Sequence, residues 1–247
     1  MDRNSARRFG PRPLSWPPQT FLGMLGERTR EELLSLGISR EYLPDEVLIL
    51  EGDKTTDVMT LIDGWVKVLG ATEEGGQALL SLRVGGDLVG EQAALDNAPR
   101  SATVISAGVT VARVMQQREF LQFIDRKPDA GVAVSRSLSS ELRWATRRRI
   151  DFSGLPVVAR LARVLGELGA LYGRPAASGV EFQYTLTQPE LAAMVGASEP
   201  AVHKALRQLR ADGVVVTGYR QVVITDPAAL DAIAGSRSGS AAGKPVK

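Results

Sequence analysis

The strongest constraint on the fold is a change of hydrophobic rhythm partway along the chain. From Tyr42 to Met115 apolar residues come in short runs: VLIL, VMTLI, WVKVLGA, ALLSLRV, ATVISA and VTVARVM. Turn-forming residues break them at Glu51-Gly52-Asp53, Asp63-Gly64, Glu74-Gly75-Gly76, Gly85-Gly86-Asp87 and Ala107-Gly108. Many short strands with regular turn signals predict an antiparallel sandwich or roll. At Pro128 the rhythm changes to an unbroken helical stretch running to about Ile150. A β-rich unit must therefore hand over to a long helix. Upstream, the apolar spacing from Phe21 to Leu36 predicts short helices.

Composition then removes whole classes of chemistry. The chain has 247 residues, enough for one large domain or two modest ones. It has no cysteine, which excludes disulfides, iron–sulfur clusters and thiolate zinc sites. The single histidine, His203, leaves no His-rich metal site, so no metal or covalent cofactor is expected. No apolar run approaches the ~20 residues of a membrane span. The Arg- and Pro-rich start (Arg3, Arg7, Arg8, Pro11, Pro13, Pro17, Pro18) lacks the apolar stretch of a secretory signal, so cytoplasm is the expected location. Net charge is +2, and residues 153–233 balance Arg160, Arg163, Arg174, Lys204, Arg207, Arg210 and Arg220 against seven acidic side chains. An argument for nucleic acid must rest on placement, not totals.

The long helix carries Val134, Leu138, Leu142 and Ala145 at spacings of 4, 4 and 3, close to a heptad seam. Gly131 and Ser135 extend the line, and the other face bears Arg136, Arg143, Arg147, Arg148 and Arg149. A surface helix of a monomer would also fit, but so long a stripe favours a dimer seam. Asp151-Phe152-Ser153-Gly154 is expected to break this helix, and Pro156 to open the next, Val157 to Tyr172. A loop over 173–179, a short strand from Phe182 to Leu186, two helices and two brief strands should complete the chain.

Within that last part, Thr187 to Arg210 (TQPELAAMVGASEPAVHKALRQLR) has the pattern of a helix-turn-helix. Thr187 with Glu190 three residues on forms a capping-box pair. Gly196 permits a sharp turn, Ser198 can cap the next helix, and Val202, Leu206 and Leu209 give that helix an apolar underside. Its other face presents Glu199, His203, Lys204, Arg207 and Arg210, long polar groups suited to the major groove, with Pro200 among the candidate DNA-contacting positions. The following ADGVVVTGYRQVVIT reads as a hairpin wing with Arg220 at its tip. A plain helical hairpin is the ordinary alternative, but helix–turn–helix–hairpin is a longer and more specific order.

A second pattern lies at GGDLVGEQAALDNAPRSATV, residues 85–104. Gly90 lets backbone approach a ligand, and free N–H groups at a helix beginning with Glu91 attract an anion. Arg100 can pair with a phosphate, Ser101 can add a hydrogen bond, and Glu91 can accept from a sugar hydroxyl. A structural Glu91–Arg100 salt bridge without ligand explains the same residues equally well.

The stretch GDLVGEQAALDNAPRSATV resembles the phosphate-binding cassette of the Crp/Fnr regulators, the cyclic-AMP receptor protein family. The resemblance runs from about Phe21 to Ile233 in the family's order: EGD turn, cassette, long helix, helix-turn-helix, wing. It implies that Glu91 contacts the ribose, Arg100 and Ser101 the phosphate, and that Gly90 and the backbone near Gln92 line the pocket. A polar purine contact from the long helix would fall at Thr146. The iron–sulfur and haem branches of the family do not fit a chain with no cysteine and one histidine. In the second helix, Glu199-Pro200-Ala201-Val202-His203-Lys204 keeps only Lys204 of the family's usual base-reading pattern, which implies a different operator.

The expected architecture is α+β: a disordered arm over 1–19, a cyclic-nucleotide-binding-like β-roll over 20–127, a dimerisation helix and hinge over 128–152, a winged helix-turn-helix over 153–234, and a disordered tail over 235–247. The resemblance implies a homodimeric transcription regulator, not an enzyme, controlled by cyclic AMP or a related cyclic nucleotide. Its partners would be a pseudo-palindromic double-stranded operator and RNA polymerase, with no membrane. Alternatives are a constitutive regulator, one liganded by a cyclic dinucleotide, and a cyclic-nucleotide-binding subunit of a partner enzyme; the helix-turn-helix speaks against the last.

Overall fold

The computed structural model describes residues 16–72, 75–182, 186–218 and 221–235. Two short helices, α1 (Phe21–Met24) and α2 (Glu27–Ser35), lead into β1 (Ile38–Tyr42), β2 (Val47–Ile49), β3 (Val58–Asp63), β4 (Trp65–Ala71), β5 (Gln77–Val84) and β6 (Leu88–Val89). Helix α3 (Glu91–Asp96), strands β7 (Thr103–Ser106) and β8 (Thr110–Met115), and helix α4 (Gln117–Arg126) complete this half. The strands form two antiparallel four-stranded sheets in the orders β1-β8-β3-β6 and β2-β7-β4-β5. Alternation drives the pairing: Met59, Leu61, Val66, Val104 and Ala112 point inward and close a roll, while Val58 clusters instead with the helical residues Phe21, Phe120 and Val134.

Trp16 docks on this roll, its indole Nε1 donating to the Ile62 carbonyl at 3.0 Å. Residues 16–19 are thus ordered, which corrects the expected arm over 1–19; residues 1–15, and the tail from 236 onward, lie outside the described residues.

Helix α5 (Pro128–Gly154) opens with Pro128 in its first turn. The expected break at Asp151–Gly154 does not occur. The helix runs through these residues and stops at Leu155, which is extended at φ −119°, ψ 144°. Pro156 is the physical cause, because a residue before proline is driven out of the helical region. Val134 is buried against the roll, Leu138 is half-buried there, and Leu142 is 69% exposed. The expected four-residue seam is therefore divided: its first member belongs to the roll's own core, and Leu142 and Ala145 remain open.

Helix α6 (Val157–Tyr172) leads to a hairpin, β9 (Gly173–Ala176) and β10 (Gly179–Phe182), where a plain loop over 173–179 is expected from sequence. Phe182 ends β10 rather than opening a strand, and residues 183–185 lie outside the described set. Then come α7 (Gln188–Val195), α8 (Glu199–Ala211), β11 (Val215–Gly218), β12 (Gln221–Ile224) and α9 (Pro227–Ile233). The third sheet has the order β11-β12-β10-β9, so the early hairpin widens the wing sheet.

One apolar core spans both halves. Trp65, Leu79, Leu82 and Val84 of the roll cluster with Leu161, Leu165, Leu191, Met194 and Leu206 of the C-terminal unit.

Candidate functional site: an anion-ready cavity beside a helix-turn-helix

Between the roll, α5 and α6 lies a cavity of about 810 Å³. Its roll wall holds Gly90, Glu91, Gln92, Arg100 and Ser101, so five of the six sequence-derived pocket residues converge. Gly90 has a left-handed φ of 84°, and a Cβ there would fall 2.6 Å from Arg100 Nη1 and 2.8 Å from the Asp57 carbonyl oxygen. Only glycine fits so close an approach.

Arg100 bears on the two readings of the cassette. It is buried, at 4% exposure. Its Nε donates to Thr55 Oγ1 at 3.0 Å, Nη1 to the Gly90 carbonyl at 2.9 Å, and Nη2 to the Asp57 carbonyl at 2.8 Å. None of these partners is a carboxylate, and the Glu91–Arg100 salt bridge is not formed. Burial lowers the Arg100 pKa, against the opposing pull of Asp57, Glu91 and Asp53. Two of the guanidinium's five N–H donors remain beyond these three bonds. Ser101 donates to Gln92 Oε1 at 3.1 Å, holding both side chains at the same rim.

Glu91 is also buried, among charges that sequence reading did not single out. Arg83 on β5 pairs with Glu141 on α5 at 2.5 Å, and Asp87 Oδ2 accepts from the Val84 amide at 3.0 Å. Burial, reinforced by repulsion from Glu141, pushes the Glu91 carboxyl up to about 7. Burial likewise raises Asp87 to about 6, with Arg83 and the Val84 N–H resisting. For Arg83, burial acts to lower the pKa, but Glu141 and Asp87 outweigh it and the net direction is upward. An arginine between the core residues Leu82 and Val84 was the available signal for this cluster.

Thr146 does not join the other five. It is exposed and does not line the cavity; Ser137, Ser140, Glu141 and Trp144 do. The helical period puts 137, 140–141 and 144 on one face and turns 146 away from it.

In the C-terminal unit, Thr187 Oγ1 accepts from the Glu190 amide at 3.4 Å while Glu190 Oε2 accepts from the Thr187 amide at 2.8 Å, a complete capping box. Gly196 turns the chain at φ 65°, with Phe152 3.0 Å from where its Cβ would lie. Ser198 occupies the cap position of α8 but its side chain makes no capping bond. Val202, Ala205, Leu206 and Leu209 are buried beneath α8. Glu199, Pro200, His203, Lys204 and Arg207 are exposed on its outer face, and Lys204 and Arg207 make no ion pair with any described residue. Arg210, also exposed, donates to Thr217 Oγ1 of β11 at 3.2 Å. Arg220 lies outside the described residues.

A roll with a buried cation facing a cavity, a long helix and a winged helix-turn-helix in one chain define a sensor joined to a DNA-reading head. Comparison with known proteins gives the same division. Residues 39–127 match the cyclic nucleotide-binding domain, and residues 159–233 the Crp-like helix-turn-helix domain. A CRP-like cAMP-activated global transcriptional regulator of Mycobacterium tuberculosis is 27% identical over 176 residues, 71% of this chain and 79% of that protein. The cAMP-activated global transcriptional regulator CRP of Pasteurella multocida is 27% identical over 199 residues, 79% and 94% of the two chains. A CRP-family transcriptional regulator from Thermus thermophilus superposes with a TM-score of 0.67 at 25% identity, covering 82% of this chain and all of the other. The chain belongs to the Crp/Fnr family of transcription regulators, and its relatives are regulators, not enzymes. Among the described residues no helix is long and apolar enough to cross a membrane, and no cluster of three or more His, Asp or Glu could hold a metal.

Proposed function

We propose that this chain is a dimeric, cytoplasmic transcription regulator whose operator binding is controlled by a cyclic nucleotide seated between roll and long helix. One observation carries the reading: Arg100 is a buried guanidinium with no carboxylate partner among the described residues, lining a cavity beside a glycine whose missing Cβ makes room for the guanidinium there. The cyclic phosphate pairs with Arg100 and Ser101, a sugar hydroxyl donates to Glu91, and the backbone at Gly90 and Gln92 closes the rim. Ser137, Ser140 and Trp144 replace Thr146 on the base side. Two of the relatives are described as cAMP-activated, which makes cyclic AMP the first ligand to test.

The reading head is α8, with Glu199, Pro200, His203, Lys204 and Arg207 at the groove, and Thr187 and Ser198 at helix starts near phosphate. The sensor spans residues 16–127, the connecting helix 128–154 and the head 157–233. RNA polymerase is the expected protein partner on the operator.

Calorimetry with cyclic AMP and cyclic GMP tests the pocket. Arg100→Gln should weaken binding by ~2 kcal/mol, about thirtyfold, as expected for a charge-assisted hydrogen bond. Absence of heat with either nucleotide, alongside operator retardation by the free protein, would instead identify a constitutive or differently liganded regulator.

A further inference from the structure

We infer that the sensor half holds the helix-turn-helix closed through a two-point latch on its first helix, Lys67 at one end and Arg148 at the other. The inference rests on the DNA-binding reading above and adds a regulatory contact to it. At the start of α7, Lys67 of β4 pairs with Glu190, the same side chain that completes the capping box. Burial acts to raise the Glu190 pKa, but the hydrogen bonds from Lys67 and Thr187 outweigh it and lower the net value. At the other end, Arg148 of α5 donates from Nη2 to the carbonyls of Ala193 and Met194, the latter a close contact. Its Nη1 reaches the Leu80 carbonyl on β5 at 2.9 Å, and its guanidinium stacks over Trp144 at 4.4 Å. Between these two points α7 packs along β5.

In a helix-turn-helix the first helix crosses the DNA backbone while the second enters the groove. Here that first helix packs against β5 and is tied at both ends. The reading face of α8 is free, so the latch leaves recognition intact and fixes where the head points. Turning the head about Leu155–Pro156 requires breaking both points. The cavity gives the ligand leverage on them, because Leu80, Leu82, Trp144 and Met194 line it as well. A ligand wedged against these side chains strains the surfaces that the latch holds together.

Lys67→Ala and Arg148→Ala remove one point each; neither residue itself lines the cavity or faces the groove, and Lys67→Ala is the cleaner variant because Arg148 stacks on the cavity-lining Trp144. The probe is a duplex selected by the wild-type protein from a random pool, used without nucleotide. Each variant should bind it roughly five- to tenfold more tightly, the low end of a typical coupling between sites. Hydrogen exchange of α7 amides provides a readout that needs no DNA, and should accelerate in both variants. Lys67→Met, which keeps an unbranched side chain but removes the ammonium that lies 5.7 Å from the Trp65 ring centroid, should match Lys67→Ala. Unchanged exchange at α7, or faster exchange with unchanged or weaker DNA binding, would overturn the latch. If the wild-type protein selects no duplex at all, the regulator reading fails, and exchange alone still decides whether the two points hold the helix.

Discussion

Glu91 and Asp87 carry the pH sensitivity of the empty sensor. Both carboxyls are raised by burial, to about 7 and about 6. A raised pKa means the folded state holds the proton more tightly than the unfolded chain. The associated stability is complete below the ordinary carboxyl range near 4.5 and is lost as pH rises through 6 to 7. Glu141 on α5 and Asp87 before β6 favour protonation of Glu91, while a backbone hydrogen bond, Arg83 on β5 and the Arg100 guanidinium oppose it. Glu91→Gln keeps the shape and removes the titration. Against this variant the empty wild-type protein should have a similar Tm at pH 5 and a Tm lower by about 5 °C at pH 8. A difference that does not change with pH, measured by calorimetric melting, would mean that Glu91 ionises as if exposed. At this scale the sequence was informative about Gly90, Glu91, Arg100 and Ser101, because their order in the chain is local and distinctive. Arg83 and Glu141 are far apart in sequence and meet across β5 and α5, so no local pattern pairs them.

Among the elements, α5 has the plainest unfinished surface. Leu142 is 69% exposed and Ile150 65%, on a 27-residue helix whose N-terminal half packs on the roll. Burying such a face against a second copy around a two-fold axis places Leu142 near its own mate. Leu142→Glu then sets two carboxylates against each other in the seam. The variant should sediment as a monomer at micromolar concentration and lose at least roughly tenfold in operator affinity, while Val134 keeps the helix seated on the roll. An unchanged dimer would move the interface off this helix. Strands β2 to β5, β7 and β8 were legible because each alternates or concentrates apolar side chains. Strand β1 (ISREY) was not: it is an edge strand with four exposed positions, held by pairing with β8. The end of α5 was misread because Asp, Ser and Gly resemble a turn. Asp151 is instead buried in an ion pair with Arg163 of α6, and the helix continues until the proline forbids it.

Across the whole molecule, the decisive arrangement is the docking of head on sensor, and no pattern in the sequence announces it. Trp65 and Leu82 meet Leu161 and Leu191 only once both units have folded, and Tyr172 donates to the Leu82 carbonyl at 3.1 Å across the same boundary. Both units wall the cavity; on the proposed reading, nucleotide and operator would therefore act on one equilibrium between docked and released heads. Thermodynamic linkage then makes a demand that no single-site model makes: whatever factor nucleotide adds to operator affinity, operator must add to nucleotide affinity. With one two-state head the factor should be about tenfold in each direction. Lys204→Ala, which removes a free cation from the reading face, should weaken operator binding by roughly tenfold. It should leave nucleotide affinity of the free protein unchanged, since Lys204 touches neither cavity nor latch. The measurement is nucleotide titration with and without saturating operator, paired with operator titration with and without saturating nucleotide. Equal nucleotide affinities in the two conditions would show that the cavity does not govern the head, even if both ligands bind.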